Sequence, residues 1–366
     1  MTSPDTSSPS EDILFGRGGG VATVVLNRPR ALNAFTLGMY RRLEPMLRGW
    51  EEDPTVHAVL VRGAGERAFC AGGDVRAVYE AGRGIAGPRD LTSVFFWEEY
   101  ELIRRVHRYP KPYLAIIDGI TMGGGAGVSV NGAYRIATEK TMLAMPETGI
   151  GLFPDVGGGW YLPRLPGRVG EFMALTGARL DGAECQYLGL ATHYVDQASL
   201  ADMIDRVATT PQRVQGPIGT FAANPPEARI EQSLPQITRF FASDRLEEIL
   251  AALASDESDW AQTELATLRT KSPLSCKVSL RLMAEGARRT SFADEMKAEY
   301  ALAGRVVRTH DFREGVRALL IDKTGNPQWD PATPEEVTDE MLDVLFAPLP
   351  ETEAWTPFPE TEYERV

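Results

Sequence analysis

The amino-acid sequence predicts an α/β fold that continues into an extended helical C-terminal region. Three observations predict it. Between residues 21 and 144, short β-branched segments alternate with amphipathic segments at intervals of about forty residues. The segment from Tyr113 to Ile117 is apolar throughout, as expected of a strand that is buried on both faces. Beyond Val195 the strand-like segments end, and apolar residues recur at the three- and four-residue spacing of helices.

The elements before residue 150 follow from local patterns. Short β-branched or apolar runs predict strands at 21–26, 56–62, 113–118, 134–138 and 141–144. Helical periodicity predicts helices at 36–51, 75–81, 91–108 and 123–130. Thr36 is placed to cap the first of these helices, because its hydroxyl can accept a hydrogen bond from an amide of the first turn. Pro45 argues against an unbroken helix there, because proline removes a backbone donor.

The rest of the chain sets the domain organisation. Helical periodicity predicts helices at 200–208, 227–241, 246–254, 260–270, 273–288, 291–308 and 311–320. The length of 366 residues suggests roughly two domains. The predicted division is a disordered tail at 1–11, a core with the active site at 12–200, a helical region at 201–346, and a loosely held tail at 347–366.

Composition and charge exclude several classes of protein. The net charge of −13 argues against a nucleic-acid partner and against binding to an anionic membrane. No apolar run reaches transmembrane length without a charge or a glycine cluster. Residues 1–12 have the character of neither a secretory nor a mitochondrial signal. The three cysteines, Cys70, Cys185 and Cys276, are widely spaced, which argues against disulfides or structural zinc and predicts a cytoplasmic location.

The chemistry is concentrated between residues 118 and 159, where two glycine clusters flank Glu147 and Asp155. Glycine costs backbone entropy, so such clusters need a reason. The first cluster and the earlier loop at 69–74 each join a strand to a helix, where unpaired backbone N–H groups point outward. Two such donors can converge on one carbonyl oxygen, each contributing ~3 kcal/mol to an acyl-transfer transition state. The alternative is that these glycines only permit tight turns.

Other catalytic schemes fit less well. Ser129 does not lie in a G-x-S-x-G elbow. The four histidines lack the spacing of metal ligands, and Cys70 has the apolar neighbours of a packing residue. The glycines at 123–127 do not form the G-x-G-x-x-G fingerprint of a dinucleotide site.

Four motifs carry a resemblance to a known family: L-N-R-P-R-A-L-N-A, A-F-C-A-G-G-D, D-G-I-T-M-G-G-G-A-G and A-M-P-E-T-G-I-G-L-F-P-D-V-G-G-G. Together they cover about residues 12–200 and resemble the crotonase (enoyl-CoA hydratase/isomerase) superfamily. A further stretch of resemblance lies at 311–316 and 323–329. The resemblance implies a ββα spiral core and a coenzyme A thioester substrate. It also implies an oxyanion hole formed by the backbone N–H groups of Gly73 and Gly124. No metal or separate cofactor is implied, because CoA is part of the substrate. A homo-oligomer, a trimer or a pair of trimers, is expected, unless the helical region replaces those contacts.

The acids distinguish subfamilies within this resemblance. Hydratases of the superfamily usually carry a glutamate three residues after the oxyanion glycine, where this chain has Gly127. Their second glutamate matches Glu147, whereas Asp155 stands where they typically have glycine. The acids, the F-F-W-E-E-Y helix and the long C-terminal region resemble the family of 3-hydroxyisobutyryl-CoA hydrolases. In that family the residues matching Glu99, Gly124, Glu147 and Asp155 line the substrate site.

The predicted reaction is therefore hydrolysis of 3-hydroxyisobutyryl-CoA, or of a close 3-hydroxyacyl-CoA, in valine catabolism. Glu147 would attack the thioester or activate a water, and Asp155 would hold the water or substrate hydroxyl or share in proton transfer. Glu99 would accept a hydrogen bond from the 3-hydroxyl, although a solvated helix face is the simpler interpretation of an isolated glutamate. Two alternatives remain open: a hydratase or isomerase that uses Glu147 alone, and a non-catalytic acyl-CoA-binding protein.

Overall fold

The structure is a computed structural model that describes residues 11–81 and 91–357. The remaining parts of the predicted tails, 1–10 and 358–366, lie outside the described residues. The strands are β1 (Ile13–Gly18), β2 (Val21–Leu26), β3 (Ala58–Gly63), β4 (Ala68–Cys70), β5 (Tyr113–Ile116), β6 (Ile120–Met122), β7 (Tyr134–Ala137), β8 (Met142–Ala144), β9 (Leu180–Asp181) and β10 (His193–Tyr194).

The helices fall into two groups along the chain. Those among and directly after the strands are α1 (Leu37–Glu52), α2 (Val75–Ala81), α3 (Leu91–His107), α4 (Gly124–Val130), α5 (Gly158–Tyr161), α6 (Val169–Thr176) and α7 (Gly182–Tyr187). Those of the C-terminal region are α8 (Leu200–Thr209), α9 (Gln215–Phe221), α10 (Arg229–Phe240), α11 (Leu246–Ala254), α12 (Asp259–Leu268), α13 (Pro273–Gly286), α14 (Phe292–Val306), α15 (His310–Val316) and α16 (Asp339–Phe346). Among the residues that the structure describes, no helix combines the length and apolarity needed to cross a membrane.

The described strands form two sheets. The larger has the order β1-β2-β3-β5-β7-β10, and the smaller has the order β4-β6-β8-β9. Successive strands alternate between the sheets, so that β3, β5 and β7 join the larger sheet while β4, β6 and β8 join the smaller. A helix follows each such pair of strands. This succession of two strands and a helix is the ββα spiral that the family resemblance implies.

The strand β5 separates two apolar cores. Its residues Tyr113 and Ala115 belong to a large cluster that includes residues of α1, α3 and α4. Leu114 and Ile116 belong to a smaller cluster that includes Met203 of α8. All four strand residues are buried, which confirms the prediction of a strand covered on both faces.

The C-terminal helices cover the segment that carries the predicted acids. Helix α13 packs against α5 and α6, and α14 packs against α3 and α5. Helix α15 contacts the short 3-10 turn Glu147–Ile150, and a Cβ on Gly315 would lie only 2.5 Å from the Ile150 carbonyl carbon. The predicted division near residue 200 stays a prediction, but the two parts are closely packed around one segment.

Two local features differ from the expectations. Pro45 lies inside α1 without ending it, because Pro45 is on the exposed side of the helix, where solvent can bond the freed carbonyl. The C-terminal tail is anchored where it is described. Trp355 is fully buried, and its Nε1 donates a hydrogen bond to the carbonyl of Trp97 at 3.3 Å.

Candidate active site

Two glycine loops meet at one end of the smaller sheet. The strands β4 and β6 are parallel neighbours, so the loops that follow them lie side by side. If Gly124 carried a Cβ, that atom would lie 3.2 Å from the Gly73 nitrogen. A Cβ added to Gly72 would lie 3.6 Å from the Gly124 nitrogen. Within residues 11–81 and 91–357, neither the Gly73 nor the Gly124 N–H donates a hydrogen bond. The structure therefore brings the Gly73 and Gly124 amides together, and neither N–H group has an acceptor among the described residues.

Glycine is required on the second loop for steric reasons. Gly123, which precedes α4, has a φ of +48°, a left-handed value that favours glycine. A Cβ on Gly124 would lie 2.7 Å from Oε1 of Glu99 and 3.3 Å from the hydroxyl of Tyr40. The loop therefore has no room for a side chain at the point where the two amides face the acids.

Glu99 is a buried acid and not part of a solvated helix face. It lies on α3, is 3% exposed, and accepts a hydrogen bond from the hydroxyl of Tyr40 at 2.5 Å. The neighbouring Glu98 shows the contrast, because it forms a surface ion pair with Arg41 at 2.9 Å. The packing of α3 on α1 thus turns Glu99 toward Gly124 and leaves Glu98 at the surface.

Glu147 has a free acceptor atom. It opens the 3-10 turn Glu147–Ile150 and is 5% exposed. Its Oε1 lies 3.0 Å from the position of a Cβ on Gly123, and its Oε2 is buried without a hydrogen-bond partner among the described residues. An unsatisfied buried acceptor costs about 1–3 kcal/mol. An unsatisfied oxygen on a carboxylate that contacts the second glycine loop is the arrangement expected where a ligand or water completes the site.

Asp155 is held by a strained turn. Its side chain is 4% exposed and accepts a hydrogen bond from the hydroxyl of Tyr100 at 2.7 Å. The next residue, Val156, has a φ of +57°, which is rare and costly for a β-branched side chain. Gly157 follows with a φ of +87°, and the N–H of Gly158 returns to the Asp155 carbonyl at 2.8 Å. The surrounding packing therefore maintains an unfavourable backbone conformation at the acid.

All three carboxyl groups have a raised pKa. Burial is the largest cause at each of them. The charge of Asp155 then raises the pKa of both Glu99 and Glu147, and burial raises the pKa of Asp155 itself to about 6 against the lowering effect of the Tyr100 hydrogen bond. Within the described ranges none of the three forms an ion pair, so their charges are not compensated by cations.

The raised pKa of Asp155 predicts a pH-dependent stability. Because its pKa in the fold is about 6 and its ordinary value is 3.8, the folded protein binds this proton more tightly than the unfolded chain does. The stabilisation that the protonated Asp155 side chain adds to the free energy of unfolding is therefore lost as the pH rises from about 4 through about 6. We expect Asp155→Asn to raise the free energy of unfolding at about pH 8 by on the order of 2–3 kcal/mol, and to have little effect near pH 3.

Urea unfolding of both proteins across this pH range measures the effect. The matched control is Asp53→Asn at the surface, where hydrogen bonds from Thr55 lower the pKa. There the sign is opposite, and the variant should lose stability at neutral pH. An Asp155→Asn variant that is less stable than the natural protein at about pH 8 would contradict this account of the site.

Gly127 occupies the place of the first hydratase glutamate in the family resemblance. It is buried on α4, and a Cβ there would lie 2.7 Å from the Val156 Cβ and 2.9 Å from Cδ1 of Ile103. The strained turn after Asp155 therefore fills the space that a side chain at 127 would need. The same turn that supplies Asp155 excludes a second glutamate.

We expect Gly127→Ala to destabilise the fold by about 1–3 kcal/mol, because the added methyl group overpacks a rigid contact. Urea unfolding measures the change. Gly216→Ala in α9 is the control, since a Cβ on Gly216 meets nothing within 4 Å and the variant should be at least as stable as the natural protein. Equal stability of Gly127→Ala and the natural protein would show that Val156 and Ile103 leave room for a side chain at residue 127.

The structure brings all five predicted site residues together and adds two that the sequence patterns did not reveal. Glu99 and Glu147 contact the glycine loops, and Asp155 lies near enough to both glutamates for its charge to raise their pKa. Tyr40 and Tyr100 supply hydroxyl donors to Glu99 and Asp155, respectively. In the sequence both tyrosines occupy apolar positions of helices. The position of Tyr100 next to Glu99 was the only indication that either tyrosine belongs to the site.

The surroundings of Cys70 and Asp74 indicate structural roles. Burial raises the pKa of the Cys70 thiol to about 12, so it stays protonated at neutral pH and suits the predicted packing role. The carboxylate of Asp74 accepts a hydrogen bond from the Arg28 side chain at 3.2 Å, which ties the loop at 69–74 to the segment after β2.

Comparison with known proteins gives consistent results over most of the chain. The family model described as Enoyl-CoA hydratase/isomerase matches residues 21–346. A curated protein of Danio rerio named "3-hydroxyisobutyryl-CoA hydrolase, mitochondrial" is 45% identical over 94% of this chain and 92% of its own length. Its namesake from Gallus gallus is 43% identical over 92% of this chain and 89% of its own length.

A solved structure confirms the crotonase-like fold. The crystal structure of a protein named as a carnitinyl-CoA dehydratase from Mycobacterium thermoresistibile superposes with a TM-score of 0.90. The two sequences are 38% identical, and the match covers 96% of this chain and all of that one.

One prediction from the sequence is wrong. The widely spaced cysteines and the N-terminal composition predicted a cytoplasmic location. The curated relatives from Danio rerio and Gallus gallus are both named as mitochondrial, which overturns that prediction. Buried free thiols, as at Cys70, Cys185 and Cys276, indicate only that the chain does not depend on disulfides.

Proposed function

The chain belongs to the enoyl-CoA hydratase/isomerase family, and we propose that it hydrolyses 3-hydroxyisobutyryl-CoA to 3-hydroxyisobutyrate and free CoA. One observation carries the choice of reaction. A glutamate with a free carboxylate oxygen stands beside two unpaired backbone amides and a second buried acid, while the position of the other hydratase glutamate has no room for a side chain. The curated relatives support the choice of substrate.

The glycine loops would bind the thioester carbonyl. Its oxygen would accept hydrogen bonds from the N–H groups of Gly73 and Gly124, which have no other acceptor among the described residues. As the carbonyl carbon becomes tetrahedral, negative charge develops on this oxygen. Each preorganised donor would then lower the barrier by ~3 kcal/mol.

Glu147 would begin the reaction by one of two routes. Its free Oε2 could attack the carbonyl carbon, forming a mixed anhydride as the C–S bond breaks and the CoA thiolate leaves and takes a proton; water would then cleave the anhydride. Alternatively, the carboxylate would take a proton from a water that attacks directly. Both routes need Glu147 ionised, and its raised pKa makes it a stronger base and nucleophile than an exposed glutamate.

Glu99 and Asp155 would recognise the acyl group and manage protons. Glu99, fixed by Tyr40, faces Gly124 and is placed to accept a hydrogen bond from the 3-hydroxyl. Asp155, with a pKa of about 6, can hold a water or accept and return a proton near neutral pH. No metal or redox cofactor is needed for these steps, and CoA enters as part of the substrate. A trimer or a pair of trimers stays a prediction.

Hydration or dehydration is the second candidate, favoured by the likeness to the carnitinyl-CoA dehydratase structure with its TM-score of 0.90. A hydratase of this family would position water between two glutamates. The contacts of Gly127 with Val156 and Ile103 speak against a second glutamate in this chain.

A panel of acyl-CoA thioesters with a thiol-trapping dye tests the proposal. We expect fast thiol release from 3-hydroxyisobutyryl-CoA, slower release from the analogue without the 3-hydroxyl, and no need for added metal. Absence of thiol release from every member of the panel would reject hydrolysis. Release that ignores the 3-hydroxyl would reject the proposed role of Glu99.

A further inference from the structure

The second glycine cluster, Gly157–Gly159, has a partner far along the chain. Glu299 lies on α14 in the C-terminal region and is fully buried. The N–H of Gly157 donates to Oε2 of Glu299 at 2.8 Å, and the N–H of Gly159 donates to Oε1 at 3.0 Å. Each carboxylate oxygen thus binds one backbone amide, and the side chain clamps the turn from both ends.

The glycines allow this close approach. A Cβ on Gly159 would lie 2.0 Å from Oε1 of Glu295, which is one helical turn before Glu299 on α14. Gly157 has a left-handed φ of +87°. With larger residues, α14 could not come near enough for a side chain to reach both amides. The second cluster is therefore a backbone cradle for a carboxylate.

This cradle is part of the turn that holds Asp155. Gly157 is two residues after the acid, and the Gly158 N–H closes the turn onto the Asp155 carbonyl. The residue after Glu299 gives a second support. The ring of Tyr300 packs edge-on against that of Tyr100, with centroids 6.5 Å apart, and Tyr100 donates the hydrogen bond to Asp155.

We propose that Glu299 is a positioning residue for thioester hydrolysis: by clamping the Gly157 and Gly159 amides it holds the strained turn that places Asp155, so that α14 completes the active site. This inference rests on the proposed function. It gives the C-terminal helical region a catalytic purpose beyond covering the core.

The groups that face Glu299 are all acidic or phenolic. They are Glu295 on the same helix, Asp155 on the clamped turn, Tyr100 on α3 and Tyr161 on α5. Glu295 is paired with Arg289 at 2.9 Å, whereas within the described ranges Glu299 has no cation. Burial raises the pKa of Glu299, and the two amide hydrogen bonds oppose this rise. The charges of Glu295 and Asp155 raise the pKa of Glu299 further.

The test is Glu299→Gln, which keeps the shape but presents an NH₂ group to one of the two amides. We expect kcat for 3-hydroxyisobutyryl-CoA to fall by about 10- to 100-fold with KM changed by less than about 3-fold, as for a misplaced catalytic group. A purely structural role would lower the melting temperature and leave kcat per folded molecule unchanged, which would overturn the proposal.

Glu295→Gln on the same helix is the matched control. It breaks the ion pair with Arg289 but leaves both clamp amides on Glu299. It should lose stability while keeping kcat per folded molecule, and an equal loss of kcat in both variants would overturn the specific role of Glu299. The natural protein in the same assay separates the two claims. If it releases no thiol, the proposed function fails; if it is active and Glu299→Gln is equally active, the clamp proposal alone fails.

Discussion

Replacing Glu147 with glutamine will reduce kcat for thioester hydrolysis by about a thousandfold or more. The carboxylate is the group proposed to attack the thioester or to activate the attacking water, and an amide oxygen serves neither role at neutral pH. The fold should tolerate the change. The Glu147 carboxylate is buried and its Oε2 has no partner among the described residues, so a neutral side chain of the same shape relieves a desolvation cost.

The measurement is steady-state thiol release together with urea unfolding of the same preparation. Glu98→Gln is the matched control, because Glu98 lies beside the site on α3 but pairs with Arg41 at the surface. We expect the control to keep the activity of the natural protein. A Glu147→Gln variant with full turnover would reject Glu147 as the group that begins the reaction.

Gly124→Ala has the second largest expected effect, a loss of about 10²- to 10³-fold in kcat/KM. The added methyl group would lie 2.7 Å from Oε1 of Glu99 and 3.2 Å from the Gly73 nitrogen. It therefore enters the space between the two amides, where the thioester oxygen would have to sit. No acid is removed, so the loss would report on the space that the two amides share with Glu99.

Gly219→Ala in α9 is the matched control, since nothing lies within 4 Å of a Cβ at that position. Circular dichroism and urea unfolding show whether the Gly124→Ala protein is folded. A folded Gly124→Ala variant with kcat/KM within about twofold of the natural value would exclude this space as an oxyanion hole.

The sequence predicts the longer elements within a few residues but misses most strands of the smaller sheet. Helices α1 and α3 and strands β2 and β5 carry enough periodic residues to be recognised, and they match the predictions within a few residues. In the smaller sheet, β8 matches the predicted strand at 141–144, whereas β4, β6 and β9 have two or three residues each, too few for periodicity to register. Helix α9 contains two glycines and a proline and is stabilised by packing that no local pattern reveals.

In the candidate site, too, residues in local motifs could be predicted, whereas contacts between distant residues could not. Gly73, Gly124, Glu147 and Asp155 lie in recognisable motifs, and the structure places them together. The clamp from Glu299 could not be predicted, because it joins groups 142 residues apart in sequence through the packing of α14. Sequence patterns specify which residues have unusual chemistry, whereas tertiary packing specifies which distant residues hold them in place.

The burial of Glu99 illustrates why local arguments fail at such positions. Glu98, Glu99 and Glu101 form an acidic run on α3 that is typical of a solvated face. Glu99 is buried because α1 brings the Tyr40 hydroxyl over it, and Glu98 stays at the surface because the helix rotation points it toward Arg41. A rotation of about 100° per residue separates the two environments.

Hydrolysis, as opposed to hydration, is tested most directly by the fate of the oxygen atom of water. The natural protein is incubated with 3-hydroxyisobutyryl-CoA in isotopically labelled water, and the products are identified by mass spectrometry. We predict free CoA and 3-hydroxyisobutyrate with one labelled oxygen in its carboxylate. Label in the 3-hydroxyl of an intact thioester, or conversion to the enoyl thioester without free CoA, would contradict the proposed function.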